Sequence, residues 1–416
     1  MDVASFVTGL RCVLCSRVYP AGRCFTCPCC GIAGILDVQY DYPALSRALT
    51  RRVLGARPLR SQWRYRELLP IRAASAVPDL AMGWTPLTAA PALARHIGVH
   101  RLLLKDDGRN ATGSLKDRAS AVGVVKAREA RKRIIACAST GNAASSCAGM
   151  AASMGIRSVI FVPERAPEPK VAQLLIFGAT VLRVRGSYEQ AFQLCQQACA
   201  KWGWYNRNSG VNPYLVEGKK TVGLEIGEQL GWEAPDWVAV SVGDGCTVAA
   251  VGKAFAEMRT LGLMKRTPRI LGVQAEGAAP VTACFRSGEP LRPIEPRTIA
   301  DSIAVGVPRN WKKAVMAVCE SGGQMINVSD DEILDAMRYT GRLAGIFGEP
   351  AAATAVAGLR RAVAEEIVPR RASAVAIITG NGLKDVQAAK TAAGQPFEIP
   401  PDGAGLEEIL KQQELT

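Results

Sequence analysis

From about residue 76 onward the chain alternates short apolar runs with longer amphipathic ones, and this alternation restricts the possible folds more than any other feature. The runs Ile134–Ala138, Arg157–Val162, Thr180–Val184, Trp237–Val242, Arg269–Gln274 and Ala374–Thr379 have strand length. Between them lie helical patterns: an alanine-rich segment to about Met154, then Glu168–Phe177, Tyr188–Trp202 and Thr247–Leu261. Apolar strands separated by amphipathic helices predict an α/β protein built on parallel sheets. With 416 residues the chain is long enough for two subdomains. Ligands in open α/β sheets bind beyond the carboxyl ends of strands, so the residues after each run are where chemistry is expected.

Four of those strand ends carry polar, glycine-bearing loops. The first is Lys105-Asp-Asp-Gly-Arg-Asn110-Ala-Thr-Gly113-Ser114-Leu-Lys116-Asp117-Arg118, which follows the apolar run Leu102 to Leu104 and opens an alanine- and valine-rich helix. A lysine in the first turn of a helix works against the helix dipole. That placement suits an amine kept neutral or bound covalently to a carbonyl cofactor; the alternative is a surface lysine at a helix start. The second loop, Ser139-Thr140-Gly141-Asn142, offers backbone N–H groups and hydroxyls suited to a carboxylate, or is an ordinary helix cap. The third, Gly243-Asp244-Gly245-Cys246-Thr247, has two glycines that let the backbone approach a phosphate closely, but it is neither a Walker loop nor a complete dinucleotide fingerprint. The fourth, Thr379-Gly380-Asn381-Gly382, places a hydroxyl at a strand end, where a satisfied buried threonine is the competing explanation. Taken together the four loops fit an amine-reactive cofactor with a phosphate arm, a ring nitrogen and a ring hydroxyl, plus an amino-acid carboxylate. Pyridoxal 5'-phosphate has those parts.

The formal net charge is +14, and the densest basic stretch, Arg47 to Arg72, holds eight arginines and one glutamate. Without a basic tail or interleaved aromatics this predicts a solvated arginine-rich face, with anionic small molecules as the second reading and nucleic acid a distant third. No apolar run reaches membrane-spanning length, and Met1-Asp-Val-Ala-Ser-Phe does not read as a secretion signal, so the cytoplasm is expected. There are only two histidines, His96 and His100, which disfavours histidine-based triads. Among thirteen cysteines, Cys12-x-x-Cys15 and Cys27-x-x-Cys30 stand eleven residues apart. Two such turns supply the thiolates of a closed tetrahedral zinc site, structural in role. Cys24-x-x-Cys27 is a competing pair, and a knuckle without metal or a redox-sensitive cluster are the alternatives.

In order along the chain, the cysteine pairs with Tyr40-Asp41, Thr85-Pro86-Leu87, the lysine loop, Ser139–Asn142, Asn212-Pro-Tyr-Leu-Val-Glu-Gly-Lys-Lys-Thr221, Gly243–Gly245, Gly272–Gly277, Thr298–Ile303, Gly348-Glu349-Pro350 and Thr379–Asp385 resemble the threonine synthase family, within the fold type II pyridoxal-phosphate enzymes. The resemblance covers nearly the whole chain and implies two open twisted α/β subdomains around the cofactor plus a zinc-ribbon-like segment. Its implied division is a cysteine module at 1–40, a connector at 41–75, a large subdomain at 76–118 and 216–400, a small mobile one at 119–215, and a tail at 401–416. It also implies roles. Lys116 holds the cofactor and moves protons, Asn142 meets the ring hydroxyl, Gly243, Asp244, Gly245, Cys246 and Thr247 cradle the phosphate, and Thr379 faces the ring nitrogen. Ser139, Thr140 and Gly141 take the substrate carboxylate, and Asn208 and Ser209 the leaving phosphate. A homodimer is implied as well.

The sequence departs from the family pattern at three positions. Ala111 stands where proline is usual, Leu115 where phenylalanine is usual, and Leu215 where threonine synthases commonly carry an arginine for the substrate's phosphate. Leucine cannot clamp a phosphate, so Lys219 or Arg207 takes that role or the substrate differs. The implied reaction is that of a lyase converting O-phosphohomoserine and water to threonine and phosphate. The alternatives are β-replacement on O-phosphoserine, as in cysteate synthase, serine or threonine dehydration, and a non-catalytic scaffold.

Overall fold

The structure is a computed structural model and describes residues 6–164, 166 and 168–415. The chain begins with a small antiparallel sheet of β1 (Val7–Cys12), β2 (Val18–Tyr19) and β3 (Leu36–Tyr40), ordered β2-β1-β3. Two short helices follow, α1 (Tyr42–Ala48) and α2 (Arg51–Gly55), each started by a side-chain cap from Asp41 or Thr50. A 3-10 segment, Gln62–Leu68, then buries Trp63 and Tyr65. Leu10, Val38 and Leu45 share one continuous core with Ile135, Ile160 and Val240 of the main body, so the cysteine module is packed on rather than tethered.

The connector corrects one expectation, because its arginines are not uniformly solvated. Arg64 is 4 % exposed, pairs with Glu228 at 2.5 Å and lies 4.5 Å over the Trp84 ring. A guanidinium can be buried where a carboxylate and an aromatic face meet it together.

The chain continues through β4 (Leu87–Ala89), α3 (Pro91–Ile97), β5 (Arg101–Asp106) and α4 (Lys116–Glu129). It then builds the smaller sheet from β6 (Ile134–Ala138), α5 (Asn142–Ser153), β7 (Arg157–Pro163), α6 (Glu168–Ile176), β8 (Thr180–Val184), α7 (Tyr188–Trp202) and β9 (Tyr205–Asn206). This sheet is parallel, in the order β8-β7-β6-β9. Helix α8 (Tyr214–Gln229) returns to the larger sheet. That sheet is completed by β10 (Trp237–Ser241), α9 (Cys246–Thr260), β11 (Arg269–Ala275), α10 (Pro280–Ser287), α11 (Trp311–Glu320), β12 (Gln324–Val328), α12 (Asp330–Ala344), α13 (Pro350–Ala364) and β13 (Ser373–Ile378). Helices α14 (Val386–Ala393) and α15 (Leu406–Gln412) close the chain. The order is β12-β11-β10-β13-β5-β4, parallel except for β4 against β5.

Both sheets reverse their winding direction once. In the larger sheet the chain winds outward from β10 to β11 and β12, while β13 and β5 lie on β10's other side. In the smaller sheet β7 and β8 lie on one side of β6 and β9 on the other. Such switch points open a crevice at the carboxyl ends of the strands. Their exits carry Gly243–Thr247 and Thr379–Gly382 in one sheet, and Ser139–Asn142 and Arg207–Ser209 in the other. Helices α4 and α8 approach closely where they cross, since a Cβ on Gly218 would lie 2.2 Å from the Arg118 carbonyl oxygen.

Candidate active site

The lysine loop rests on buried charge. Arg118 and Lys105 are fully buried; Arg118 pairs with Asp107 at 2.6 Å and Glu225 at 2.5 Å, and Lys105 pairs with Glu225 at 2.7 Å. Burial alone would raise the Glu225 carboxyl, but Arg118 and Lys105 hold it down at about 2. The Asp117 carboxylate accepts from the Thr112 N–H and hydroxyl and so closes the turn that ends at Lys116. On its other side the loop is zipped to the exit of β13. Leu115 N–H donates to the Thr379 carbonyl at 2.8 Å, and Asn381 N–H donates to the Gly113 carbonyl at 3.0 Å.

Lys116 is the first residue of α4 and opens into a cavity of about 950 Å³ between the two sheets. Every cofactor- and substrate-binding residue expected from the sequence lines it: the 139–142 loop, Asn208 and Ser209, the 243–247 loop and Thr379. Burial, chiefly, lowers the Lys116 amine to about 8; Lys219 and Arg207 lower it further, against Cys246 and Glu349. Lys219 is also lowered, first by burial. Among the described residues neither Lys116, Lys219 nor Arg207 forms an ion pair, although Lys219 and Arg207 are 2 % and 1 % exposed. Two buried cations, Lys219 and Arg207, without an ion-pair partner call for anionic ligands.

The glycine loop has the form of a phosphate cradle. Gly245 caps α9 with φ +91°, and a Cβ there would meet the Asn310 carbonyl oxygen at 2.8 Å. Among the described residues the Asp244 side chain forms no ion pair with the cavity's cations, although it lies close enough to Lys219 to act on its amine. It accepts from the Arg309 N–H and Asn310 Nδ2, each at 2.8 Å, and from the Cys246 thiol at 3.0 Å. Only its backbone N–H remains for an anion, and its carboxylate instead ties the loop to the residues before α11. Burial pushes the Cys246 thiol up to about 12, so it stays protonated beside Lys219.

In the smaller sheet, Gly141 caps α5 and donates to the Ser139 hydroxyl at 3.2 Å, and the helix start faces the cavity. Asn142 Nδ2 donates to Glu349 Oε1 at 2.7 Å, and burial raises the Glu349 carboxyl. The Thr379 hydroxyl makes no hydrogen bond among the described residues and is free for a ligand. Asn208 is otherwise engaged: its Oδ1 accepts from Ala138 N–H at 3.0 Å and its Nδ2 donates to the Cys195 sulfur. Its amide joins β6 to the β9 exit. Leu215 is fully buried and does not line the cavity.

Glu349 carried no role in the sequence reading, and Lys219 and Arg207 entered only as substitutes for the missing arginine. The available signal for Lys219 was the adjacent pair Lys219-Lys220. Successive helical residues point about 100° apart, and only Lys220 finds carboxylates, Glu217 at 2.6 Å and Glu257 at 2.8 Å.

The sulfurs of Cys12, Cys15, Cys27 and Cys30 lie within 4.8 Å of one another, which suits a tetrahedral ion with bonds of about 2.3 Å. Cys24 and Cys29 fall outside this set; Cys29 accepts from Arg17 at 2.6 Å.

The cavity therefore meets the demands of pyridoxal phosphate: a depressed lysine, a glycine cradle beside an unpaired cation, and a free hydroxyl. Residues 79–380 match the family described as pyridoxal-phosphate dependent enzyme, and the chain is an enzyme of that class. Solved structures with the same fold include diaminopropionate ammonia lyase from Escherichia coli, with a TM-score of 0.65 at 20% identity over 81% of this chain and 93% of that one. A processed threonine deaminase from Solanum lycopersicum also has a TM-score of 0.65, at 22% identity over 74% and 87%. The threonine synthase of Methanocaldococcus jannaschii is 37% identical over 97% of this chain and 99% of its own length. That of Methanosarcina acetivorans is 39% identical over 96% and 98%. The chain belongs to the threonine synthase family of pyridoxal-phosphate-dependent lyases.

Proposed function

We propose that the protein converts O-phosphohomoserine and water to threonine and phosphate. The observation that carries this reading is the set of three basic side chains lining one cavity without an ion-pair partner among the described residues: Lys219 and Arg207, both buried, and Lys116, half-buried at its mouth. A cofactor phosphate, a substrate carboxylate and a substrate phosphate would together supply that negative charge.

Pyridoxal phosphate, when bound, withdraws electrons from the carbon bearing the substrate's amino group and so makes its proton removable. The chain's own residues do the rest. Lys116 Nζ, lowered to about 8 and so available in its neutral form near that pH, takes that proton and returns protons to the substrate carbons. The start of α5 at Ser139, Thr140 and Gly141 orients the carboxylate through N–H groups. The 243–247 loop and Lys219 hold the cofactor's phosphate, Asn142 meets its ring hydroxyl, and Thr379 presents a hydroxyl to its ring nitrogen. Being neutral, that hydroxyl does not favour a protonated ring, which suits elimination over reactions that need a fully delocalised carbanion.

The test offers O-phosphohomoserine and O-phosphoserine, the latter with and without sulfite, and follows phosphate release and the amino-acid product. Threonine formed from phosphohomoserine is expected. Release only from phosphoserine overturns the proposal in favour of β-replacement.

Among the described residues no helix is long and apolar enough to cross a membrane. A cytoplasmic homodimer with a structural zinc ion in the ribbon completes the reading; light scattering, cell fractionation and metal analysis test those three parts.

A further inference from the structure

We propose that Arg207, presented at the exit of β9 and backed by Leu215, is the residue that grips the phosphate of the amino-acid substrate. This rests on the reading that the substrate is a phosphorylated amino acid.

Arg207 is 1 % exposed and lines the cavity. Its Nε donates to the Ser120 hydroxyl at 2.9 Å, and its Nη1 to the Ser209 hydroxyl at 3.1 Å. Its Nη2 is buried and has no partner. A buried guanidinium nitrogen without an acceptor carries a full desolvation cost, so the arrangement is complete only when an anion enters.

The other two anions expected in the cavity already have places. The carboxylate of the substrate faces the start of α5. The cofactor's phosphate faces the glycine loop, where Lys219 lies beside Cys246 and Asp244. Arg207 lies near enough to Lys219 and Lys116 to lower both amines, but its guanidinium is hydrogen-bonded to neither loop; its two anchors are Ser120 and Ser209. Ser209 accepts from Arg207 and therefore keeps its own proton to donate to the same phosphate. Guanidinium and hydroxyl form a fork of the kind that recognises tetrahedral oxyanions.

Leu215 explains why this arginine can serve. A Cβ placed on Gly123 would lie 2.9 Å from Leu215 Cδ2 and 3.9 Å from Arg207 Cγ, so both side chains flank the space above that glycine of α4. Leu215 takes up volume next to that space without placing a second charge there, and Ser120 and Ser209 hold the guanidinium. A longer cationic side chain at 215 would compete with Arg207 for the same volume and the same anion.

The experiment uses the cofactor-loaded enzyme, in which the cofactor's own phosphate blocks the glycine loop. Inorganic phosphate binding is measured by calorimetry, and L-threonine binding by the change in cofactor absorbance. Arg207→Gln is expected to weaken phosphate binding and raise KM for the phosphorylated substrate by about 10- to 100-fold, while L-threonine binding stays unchanged. Arg207→Lys is expected to recover part of the loss, as a point charge without the fork. Ser209→Ala gives a smaller loss with the same selectivity and serves if Arg207→Gln does not fold. Equal losses for threonine and phosphate, or none for phosphate, overturn the proposal. If the wild type releases phosphate only from O-phosphoserine, the threonine-forming reading falls, and the same variants are then judged with that substrate. If the wild type forms threonine and Arg207→Gln leaves its KM unchanged, this inference alone falls.

Discussion

The backbone N–H of Leu115 donates to the carbonyl of Thr379 at 2.8 Å. This one bond joins the residue before the reactive lysine to the residue whose hydroxyl waits at the end of β13, some 260 positions later in the chain. The amine and the hydroxyl are thereby placed by backbone rather than by flexible side chains, which is how a site keeps the tolerances that catalysis needs.

The depressed amine of Lys116 predicts a pH profile. Its folded value near 8 lies below the ordinary lysine value, so the neutral, nucleophilic form dominates above pH 8 and is lost as pH falls. The rate at which cofactor-stripped enzyme rebinds pyridoxal phosphate covalently, followed by visible absorbance, should rise from pH 7 and level off above 9. A rate still climbing towards pH 10.5 would mean that the lysine is unperturbed. Lys116→Ala should show no such band at any pH.

The charges beneath the loop are a stability feature. Glu225→Ala leaves Arg118 and Lys105, both fully buried, short of a carboxylate. The loss should be about 3–5 kcal/mol, measured as a shift in the urea midpoint with the slope unchanged. A loss below 1 kcal/mol would mean that water reaches the network.

Gly245 is required by both its conformation and its surroundings. At φ +91°, with a carbonyl oxygen 2.8 Å from any added Cβ, Gly245→Ala forces the cradle apart. Strain of about 1–2 kcal/mol from the left-handed backbone alone predicts roughly tenfold weaker cofactor retention, read by equilibrium dialysis.

For the ribbon, Cys12→Ser should remove bound zinc and lower the melting temperature, whereas Cys24→Ser and Cys29→Ser should retain the metal. Elemental analysis of the purified variants distinguishes the sets. Metal lost with Cys24→Ser but kept with Cys30→Ser would favour the competing pair.

Strands and helices were legible because their signals are local. Ile134–Ala138, Tyr188–Trp202 and Trp237–Ser241 carry the composition and periodicity of what they become. The strand-end loops were legible for a related reason: glycine, hydroxyl and amine types next to a helix start restrict what the backbone can bind. Less legible was anything set by which faces meet. Nothing near Arg64 signals Glu228 and Trp84, its partners across the chain. Asn208 and Asp244 have the right chemistry for ligands, but Ala138, Cys195, Arg309 and Asn310 engage their side chains.

By itself the sequence determined an α/β chain with a lysine, a glycine cradle and a carboxylate loop at strand ends, because backbone periodicity and local hydrogen-bonding needs are written residue by residue. Only the tertiary structure decided how charge is compensated. It gave Lys220 two carboxylates and Lys219 none, buried Leu215 in the core, and left Arg207 Nη2 without an acceptor. Compensation depends on distance and burial between segments far apart in the chain, and those quantities exist only once the two sheets have closed around the cavity.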